Sequence, residues 1–175
     1  MKTNIALIGF MGAGKTAVGK LLAEKLNKKL IELDSLIELK AEKPIARIFK
    51  EDGEIAFRQL EIEATKEVAG NKNQVIACGG GIVLNKINID RLKEEGIVIY
   101  LTAPPEVIWQ RVSADNTVRP LLENNNKTLT IRELLKFREP FYERAADIKI
   151  DTSKLDIEAI IEQIIARLKE YEGNN

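Results

Sequence analysis

An eight-residue segment near the start of the chain, GFMGAGKT at residues 9–16, has the composition and spacing of a phosphate-binding loop. It matches the pattern G-x-x-x-x-G-K-[ST], in which glycines let the backbone turn tightly so that successive amides point at phosphate oxygens. Lys15 is expected to reach the β- and γ-phosphates of a nucleotide such as ATP, and Thr16 to ligate Mg²⁺. The segment does not indicate which group receives the third phosphate.

Two acidic residues and a run of glycines follow predicted strands, where open parallel sheets place their ligands. Glu32 and Asp34 are predicted at the end of the second strand, and strand alternation would point both carboxylates the same way. Alternatively, Asp34 caps a helix that starts at Ser35. Three consecutive glycines, Gly79–Gly81, follow the third strand and let the backbone approach another group closely.

Three arginines complete the set of candidate site residues. Arg58 lies on a predicted helix, where it either binds a ligand or pairs with Glu54 or Glu61 on a solvated face. Arg119 lies in a polar segment rich in asparagine, and Arg138 lies on the helix after it, where a plain surface charge is the alternative. Around a phosphate loop, these residues together favour a binding site over separate structural roles.

Short apolar runs alternate with helical patterns along the chain, and this alternation predicts the framework that positions the site. Such alternation is typical of a parallel sheet with helices on both faces, an α/β fold. Residues 115–130 are predicted to form a mobile loop or lid, and a disturbance at Pro140 is expected in the helix after it. The predicted strands are residues 4–8, 29–33, 74–78, 97–101 and 148–150, and the predicted helices are residues 15–26, 35–40, 44–49, 54–69, 105–112, 131–145 and 157–171.

The composition excludes several classes of protein. At 175 residues the chain is expected to form one domain, residues 1–175. Lys+Arg and Asp+Glu both total 27, so nucleic acid is not an expected partner. The absence of histidine excludes Ser-His-Asp and Cys-His catalysis, and the single cysteine, Cys78, is interpreted as a buried packing residue. No apolar run has the length of a membrane span, so we expect no membrane association and a cytoplasmic protein.

Two large classes of phosphate-loop protein lack support in the sequence. A GTPase needs Asn-Lys-x-Asp after a later strand, but the nearest string, NKNQ at residues 71–74, lacks the aspartate and precedes a strand. A motor-type ATPase usually shows an apolar run that ends in acids, whereas the run at residues 75–78 ends in glycines. Both classes are therefore set aside, and the group that accepts the phosphate stays open at this point.

The motifs taken in order resemble those of shikimate kinases, a family within the nucleoside-monophosphate-kinase-like group of phosphate-loop folds. The resemblance covers nearly the whole chain, and D-G-E-x-x-F-R-x-x-E, a triple glycine and R-P-L-L are more specific than the phosphate loop. It rests on GFMGAGKT, LDSLIE, PIARIFKEDGEIAFRQLE, VIACGGGIVL, NTVRPLL and LLKFREPFYERAADI. It implies a three-layer fold with a five-stranded parallel sheet and a lid at about residues 113–128, and transfer of the ATP γ-phosphate to the 3-hydroxyl of shikimate.

The resemblance also implies roles for individual residues. The catalytic set is Lys15, Asp34 and Arg119. Shikimate is expected to contact Asp34, Arg58, Gly80, Gly81 and Arg138, with the arginines on its carboxylate. ATP is expected to contact Gly12, Ala13, Gly14, Lys15, Thr16, Ala17, Arg111, Arg119 and Ser153, the last of these in the loop that encloses the base. Mg²⁺ is expected on Thr16 and, through water, on Glu32. We expect a monomer.

One residue departs from the family pattern, and two alternative functions stay open. The family commonly carries D-x-D at the end of the second strand, whereas this chain has Glu32-Leu33-Asp34, which keeps the charge on a longer side chain. The first alternative is a gluconate or nucleoside-monophosphate kinase of the same fold. The second is a nucleotide sensor that has lost catalysis, which the retention of all the candidate polar residues disfavours. A panel of acceptors separates these functions.

Overall fold

The computed structural model describes residues 2–115 and 127–173. A five-stranded, fully parallel sheet lies at its centre, with strand order β2-β3-β1-β4-β5. The strands are β1 Asn4–Ile8, β2 Lys29–Glu32, β3 Gln74–Ala77, β4 Gly96–Thr102 and β5 Ile148–Asp151. The helices are α1 Lys15–Lys25, α2 Leu33–Ala41, α3 Ile45–Glu51, α4 Gly53–Ala69, α5 Lys86–Glu95, α6 Pro105–Ala114, α7 Lys127–Ala145 and α8 Ile157–Gly173, with a 3₁₀ turn at Ile82–Leu84.

Alternate residues along each central strand point to opposite faces of the sheet. Their side chains form two separate cores, one on each face. In β1, Ala6 and Ile8 join the larger core, which helices α2 to α7 cover, whereas Ile5 and Leu7 join the smaller core under α1 and α8. Strands that are buried on both faces need continuous apolar runs, which is why β1, β3 and β4 are readable in the sequence. The predicted three-layer α/β fold is confirmed.

The sequence prediction missed one helix and misplaced the start of another. It assigned no element to the residues of α5, although Ile89 and Leu92 recur there at helical spacing and are buried. It placed the start of the helix after the lid at Ile131, but α7 already begins at Lys127. Most of the predicted lid, residues 116–126, lies outside the described residues.

Helix α7 continues across Pro140, so the proline does not end the helix. A proline removes one backbone hydrogen bond, but burial of one helix face compensates for that loss. Ile131, Tyr142 and Ala145 are buried on this face. In residues 2–115 and 127–173, no helix has the length and apolar character needed to cross a bilayer.

Candidate active site

The phosphate loop joins β1 to α1 at the carboxyl edge of the sheet. Gly12 and Gly14 adopt positive φ angles of 76° and 96°, which residues with a side chain rarely adopt. Gly14 is also the N-cap of α1, and no side chain caps the helix there. The positive end of the α1 dipole lies at this point of the loop and favours an anion there.

The Lys15 side chain folds back over this loop. Its Nζ donates hydrogen bonds to the carbonyl oxygens of Gly9 at 2.8 Å and Phe10 at 3.0 Å. The ammonium group is thus held against the backbone of the loop. The phosphate-binding role of Lys15 stays a prediction.

A cavity of about 470 Å³ opens above the phosphate loop and collects most of the predicted nucleotide and metal residues. Ala13 is the exception among the loop residues, because it is fully buried beneath the loop and contributes only backbone. The cavity is lined by Met11, Gly12, Gly14, Lys15, Thr16, Ala17, Lys20, Glu32, Asp34, Ser35, Ala77, Cys78, Gly80, Arg111 and Asp115. Cys78 is buried as predicted, and burial raises the pKa of its thiol well above the ordinary value.

Glu32 and Asp34 both face this cavity, but not by the predicted strand alternation. Strand β2 ends at Glu32, and α2 begins at the next residue, Leu33, without an intervening loop. Glu32 is the N-cap of α2 in extended conformation, and Asp34 lies within the first helical turn. The prediction that Asp34 ends a strand was wrong, and so was the alternative that it caps a helix starting at Ser35. The reason is that the short edge strand β2 passes directly into the helix.

The triple glycine after β3 is packed against a different group at each position. A Cβ at Gly79 would lie 2.8 Å from Asp34 Oδ1 and 3.2 Å from Glu61 Oε1. A Cβ at Gly81 would overlap both terminal nitrogens of Arg58. These contacts leave no room for side chains, so the glycines allow two carboxylates and a guanidinium group to reach the backbone.

Gly80 lies between the phosphate loop and Arg138. A Cβ there would lie 3.3 Å from the backbone nitrogen of Met11 and 3.8 Å from Arg138 Nη1. Arg138 is only 3% exposed, and its guanidinium carbon lies 5.8 Å from the centroid of the Phe10 ring. It is therefore not a surface charge, and the structure places Arg58 and Arg138 on adjacent glycines of one turn.

Arg58 is held by two carboxylates of its own helix, α4. Its Nη1 donates to Glu61 Oε2 at 3.0 Å, and its Nη2 donates to Glu54 Oε1 at 3.0 Å. Both pairings considered from the sequence occur, and they differ in exposure: Glu54 lies at the solvated end, whereas the Arg58 side chain is 14% exposed and Glu61 is fully buried. The pairing orients the guanidinium group toward Gly81.

Glu61 is a site residue that the sequence analysis treated only as a partner of Arg58. Burial raises the pKa of its carboxyl, and the nearby Asp34 carboxylate raises it further, whereas the guanidinium groups of Arg58 and Arg138 oppose the shift. A signal was available, because Glu61 occupies the apolar face of α4 between Phe57 and Ala64, both buried. A charged residue in such a position calls for a polar partner.

Two buried polar atoms at this turn have no hydrogen-bond partner within the described part of the chain, namely Glu61 Oε1 and Arg138 Nε. Buried donors and acceptors are rarely left without partners in folded proteins. One of them is an acceptor and the other a donor on a cationic group. The turn is therefore suited to a ligand that carries both hydroxyl and anionic groups.

At the other end of the cavity, Arg111 joins the phosphate loop to the segment after β5. Its Nη1 donates to Thr152 Oγ1 at 3.0 Å and to the Gly12 carbonyl at 3.3 Å, and its Nη2 donates to the Thr152 carbonyl at 2.7 Å. The buried Thr152 hydroxyl also lies 3.2 Å from the Ala13 carbonyl and 3.0 Å from that of Thr102. Thr152 was not predicted, although it precedes the predicted Ser153, which does not line the cavity.

The remaining predicted site residue, Arg119, falls in residues 116–126 and lies outside the described residues. The described site thus has two ends. A phosphate-binding cavity contains Lys15, Thr16, Glu32 and Asp34, and a buried turn beside it brings together Arg58, Glu61 and Arg138. Such a site can hold a triphosphate next to a small polar anion.

A family model described as shikimate kinase matches residues 11–169 of the chain. The shikimate kinase of Pelotomaculum thermopropionicum is 46% identical over 168 residues, which is 96% of this chain and 96% of the relative. The shikimate kinase of Thermodesulfovibrio yellowstonii is 47% identical over 169 residues, 97% of this chain and 95% of the relative.

A solved structure of shikimate kinase from Acinetobacter baumannii in complex with shikimate has a TM-score of 0.92 to this chain at 38% identity. The alignment covers 97% of this chain and 94% of that chain. The similarity thus includes the sheet, the phosphate loop and the helices that carry the acidic residues and arginines of the site.

Proposed function

The chain belongs to the shikimate kinase family, and we propose how its residues carry out the reaction of that family. The enzyme transfers the γ-phosphoryl group of ATP to the 3-hydroxyl of shikimate, giving shikimate 3-phosphate and ADP. The observation that carries this function is the convergence of Arg58 and Arg138 on the glycine turn beside the phosphate loop. Shikimate is a small ring with one carboxylate and three hydroxyls, so two guanidinium groups and nearby carboxylates suit it.

The acceptor is held at the glycine turn. Arg58 and Arg138 bind the shikimate carboxylate, supported by the burial of Arg138, by the largely covered Arg58 side chain, and by Arg138 Nε, which has no hydrogen-bond partner among the described residues. Asp34 accepts hydrogen bonds from the ring hydroxyls and takes the proton of the attacking 3-hydroxyl, as its place between the cavity and Gly79 suggests. Gly80 and Gly81 line the pocket with backbone.

The donor is held in the cavity above the phosphate loop. The loop amides of Gly12 to Ala17 hold the phosphates of ATP, and Lys15 exchanges its carbonyl partners for β- and γ-phosphate oxygens. Arg111, with the segment that includes Ser153, borders the base. We also assign Arg119 to the phosphates from its sequence position. The bond from the 3-hydroxyl oxygen to the γ-phosphorus forms as the bond to the β,γ-bridging oxygen breaks.

The residues at the cavity fit Mg²⁺ as the metal. Thr16 and Glu32 both line the cavity with oxygen donors, the ligands that Mg²⁺ prefers. Across residues 2–115 and 127–173 there is no cluster of three or more metal-binding side chains, which agrees with an ion that keeps several waters and binds substrate phosphates. When bound, Mg²⁺ neutralises charge on the phosphates. Thr16 would hold it directly and Glu32 through water.

The function is tested by measuring ADP release from Mg-ATP with shikimate, quinate, gluconate, CMP, AMP or no acceptor. We expect fast release with shikimate alone, together with a product that is one phosphoryl group heavier by mass spectrometry. Fast release with gluconate or a nucleotide would retain the phosphate loop but overturn the assigned acceptor. ATP binding with no accelerated turnover would favour the sensor function.

A further inference from the structure

Tyr142 lies on α7 one helical turn after Arg138, and its side chain is fully buried. Its hydroxyl donates a hydrogen bond to the carbonyl oxygen of Gly80. Burial raises the pKa of this phenol to about 12, against the opposing charge and hydrogen bond of Arg138. The hydroxyl therefore stays protonated; it is hydrogen-bonded to Gly80 and lies near enough to Arg138 for the guanidinium charge to act on it.

The ring of Tyr142 does not by itself require this hydroxyl. It stacks on Tyr100 of β4 with the ring centroids 4.9 Å apart and the planes 20° apart, inside the larger core. A phenylalanine would fill the same space, and burial of a hydroxyl is unfavourable unless the hydroxyl is hydrogen-bonded. The role of the hydroxyl oxygen therefore depends on its neighbours, Gly80 and Arg138.

Gly80 separates the two ends of the site. On one side, a Cβ added at Gly80 would lie 3.3 Å from the Met11 nitrogen and 3.7 Å from the Gly9 carbonyl oxygen, both in the phosphate loop. On the other side it lies 3.8 Å from Arg138 Nη1. A group that fixes the Gly80 peptide and contacts Arg138 thereby sets where the acceptor sits relative to the phosphates.

We propose that Tyr142 is a positioning residue, whose hydroxyl locks the Gly80 carbonyl and the Arg138 guanidinium in one arrangement and so aligns the acceptor hydroxyl with the phosphate loop. The inference rests on the proposed function, because it takes Arg138 to bind the acceptor carboxylate. Tyr142 itself does not contact the substrate. Phosphoryl transfer depends mainly on alignment, so a lost positioning contact reduces turnover as well as acceptor binding.

The test compares Tyr142→Phe with Tyr100→Phe, which removes the hydroxyl from the other ring of the same stack. For Tyr142→Phe we expect kcat/KM for shikimate to fall about tenfold, the effect of one hydrogen bond to a charged group. We expect a higher KM for shikimate and a lower kcat, with the KM for ATP and the Kd for ADP within twofold of wild type. Tyr100→Phe is expected to keep all four values within twofold.

The double variant Tyr142→Phe/Arg138→Lys separates positioning from plain packing. If the hydroxyl acts through Arg138, its removal costs less when the guanidinium is already gone, so the two losses in kcat/KM combine to less than their product. Urea unfolding monitors the fold of every variant. Fully multiplicative losses would overturn the proposal.

The remaining outcomes each have one meaning. An unchanged kcat/KM for shikimate in folded Tyr142→Phe overturns the inference and leaves the proposed function intact, since wild type still phosphorylates shikimate. Equal rises in KM for ATP and shikimate, or equal losses in Tyr100→Phe, also overturn it. If wild type phosphorylates another acceptor of the panel, the variants are assayed with that acceptor; if it phosphorylates none, both proposals fail.

Discussion

Replacement of Gly81 by alanine should damage acceptor binding at a moderate loss of stability. The new Cβ would overlap both terminal nitrogens of Arg58, and ordinary contact between such atoms requires about 3.5 Å. The guanidinium group must therefore retreat by about 1 Å. Its bond to Glu61 Oε2, now 3.0 Å, would lengthen beyond hydrogen-bonding range.

The magnitude follows from two opposing effects on stability and one on activity. Loss of a hydrogen bond to a charged group costs about 1.5–3 kcal/mol. Gly81 has φ −100°, which alanine adopts freely. The substitution therefore also stabilises the protein by about 0.4–1 kcal/mol, because alanine lowers the conformational entropy of the unfolded chain. The net loss of stability is then about 1–2 kcal/mol. A misplacement of about 1 Å in a binding group costs up to about 100-fold in rate, so we expect kcat/KM for shikimate to fall about 10- to 100-fold.

Steady-state kinetics with each substrate varied in turn, beside urea unfolding, provides the assay. Gly70→Ala is the matched control, because Gly70 has φ −74° at the end of α4 and its Cβ would meet nothing closer than 3.9 Å. The KM for ATP should stay within twofold in both variants. An undiminished kcat/KM for shikimate in folded Gly81→Ala, or an equal loss for ATP, would refute the assignment of Arg58 to the acceptor.

Four further changes test other parts of the site. Lys15→Ala should lower kcat by at least about 100-fold with an unchanged circular dichroism spectrum, because it removes a cation from the transferred phosphoryl group; near-normal turnover would contradict the phosphate-loop role. Glu32→Gln should raise the Mg²⁺ concentration for half-maximal rate, and an unchanged Mg²⁺ dependence would remove Glu32 from the metal site. Thr152→Val should raise the KM for ATP about tenfold by removing one of the hydrogen bonds that hold Arg111, and Thr152→Ser should restore it; failure of the serine variant to do so would mean that the hydroxyl is not responsible. Burial raises the pKa of Glu61 above its unfolded value of about 4.3, so ionisation of Glu61 lowers the stability of the folded protein as the pH rises above that unfolded value. In urea unfolding from about pH 4 to about pH 7, the free energy of unfolding of wild type should fall relative to that of Glu61→Gln. A difference that stays constant with pH would falsify the raised pKa.

Much of the framework could be predicted because its causes are local. Strands β1 and β4 are buried on both faces, so their residues form uninterrupted apolar runs. The phosphate loop was equally clear, since its glycine spacing reflects a backbone requirement. By contrast, α5 was missed because most of its residues are charged and few apolar residues mark its buried face. No turn residue separates β2 from α2, so nothing in the sequence marks the boundary between this strand and this helix.

Burial of charged residues was the main part of the site that the sequence analysis could not resolve. From Arg58 and Glu61 at i and i+3 alone, a solvated ion pair was as reasonable as a buried one. The outcome depends on the glycine turn that packs over them from β3, a contact between segments some twenty residues apart. Thr152 was overlooked for a similar reason, because its partners Ala13 and Arg111 are distant in sequence.

The two hydrogen bonds from Lys15 to the Gly9 and Phe10 carbonyls make nucleotide binding an exchange rather than a simple addition. The ammonium group already has these two backbone acceptors within the loop. When phosphates arrive, the ammonium group gives up two carbonyl acceptors for anionic ones, and only the difference between them contributes to affinity. The same exchange releases two carbonyl groups to solvent or to neighbouring donors, so the enthalpy of binding should be smaller than a count of new contacts suggests.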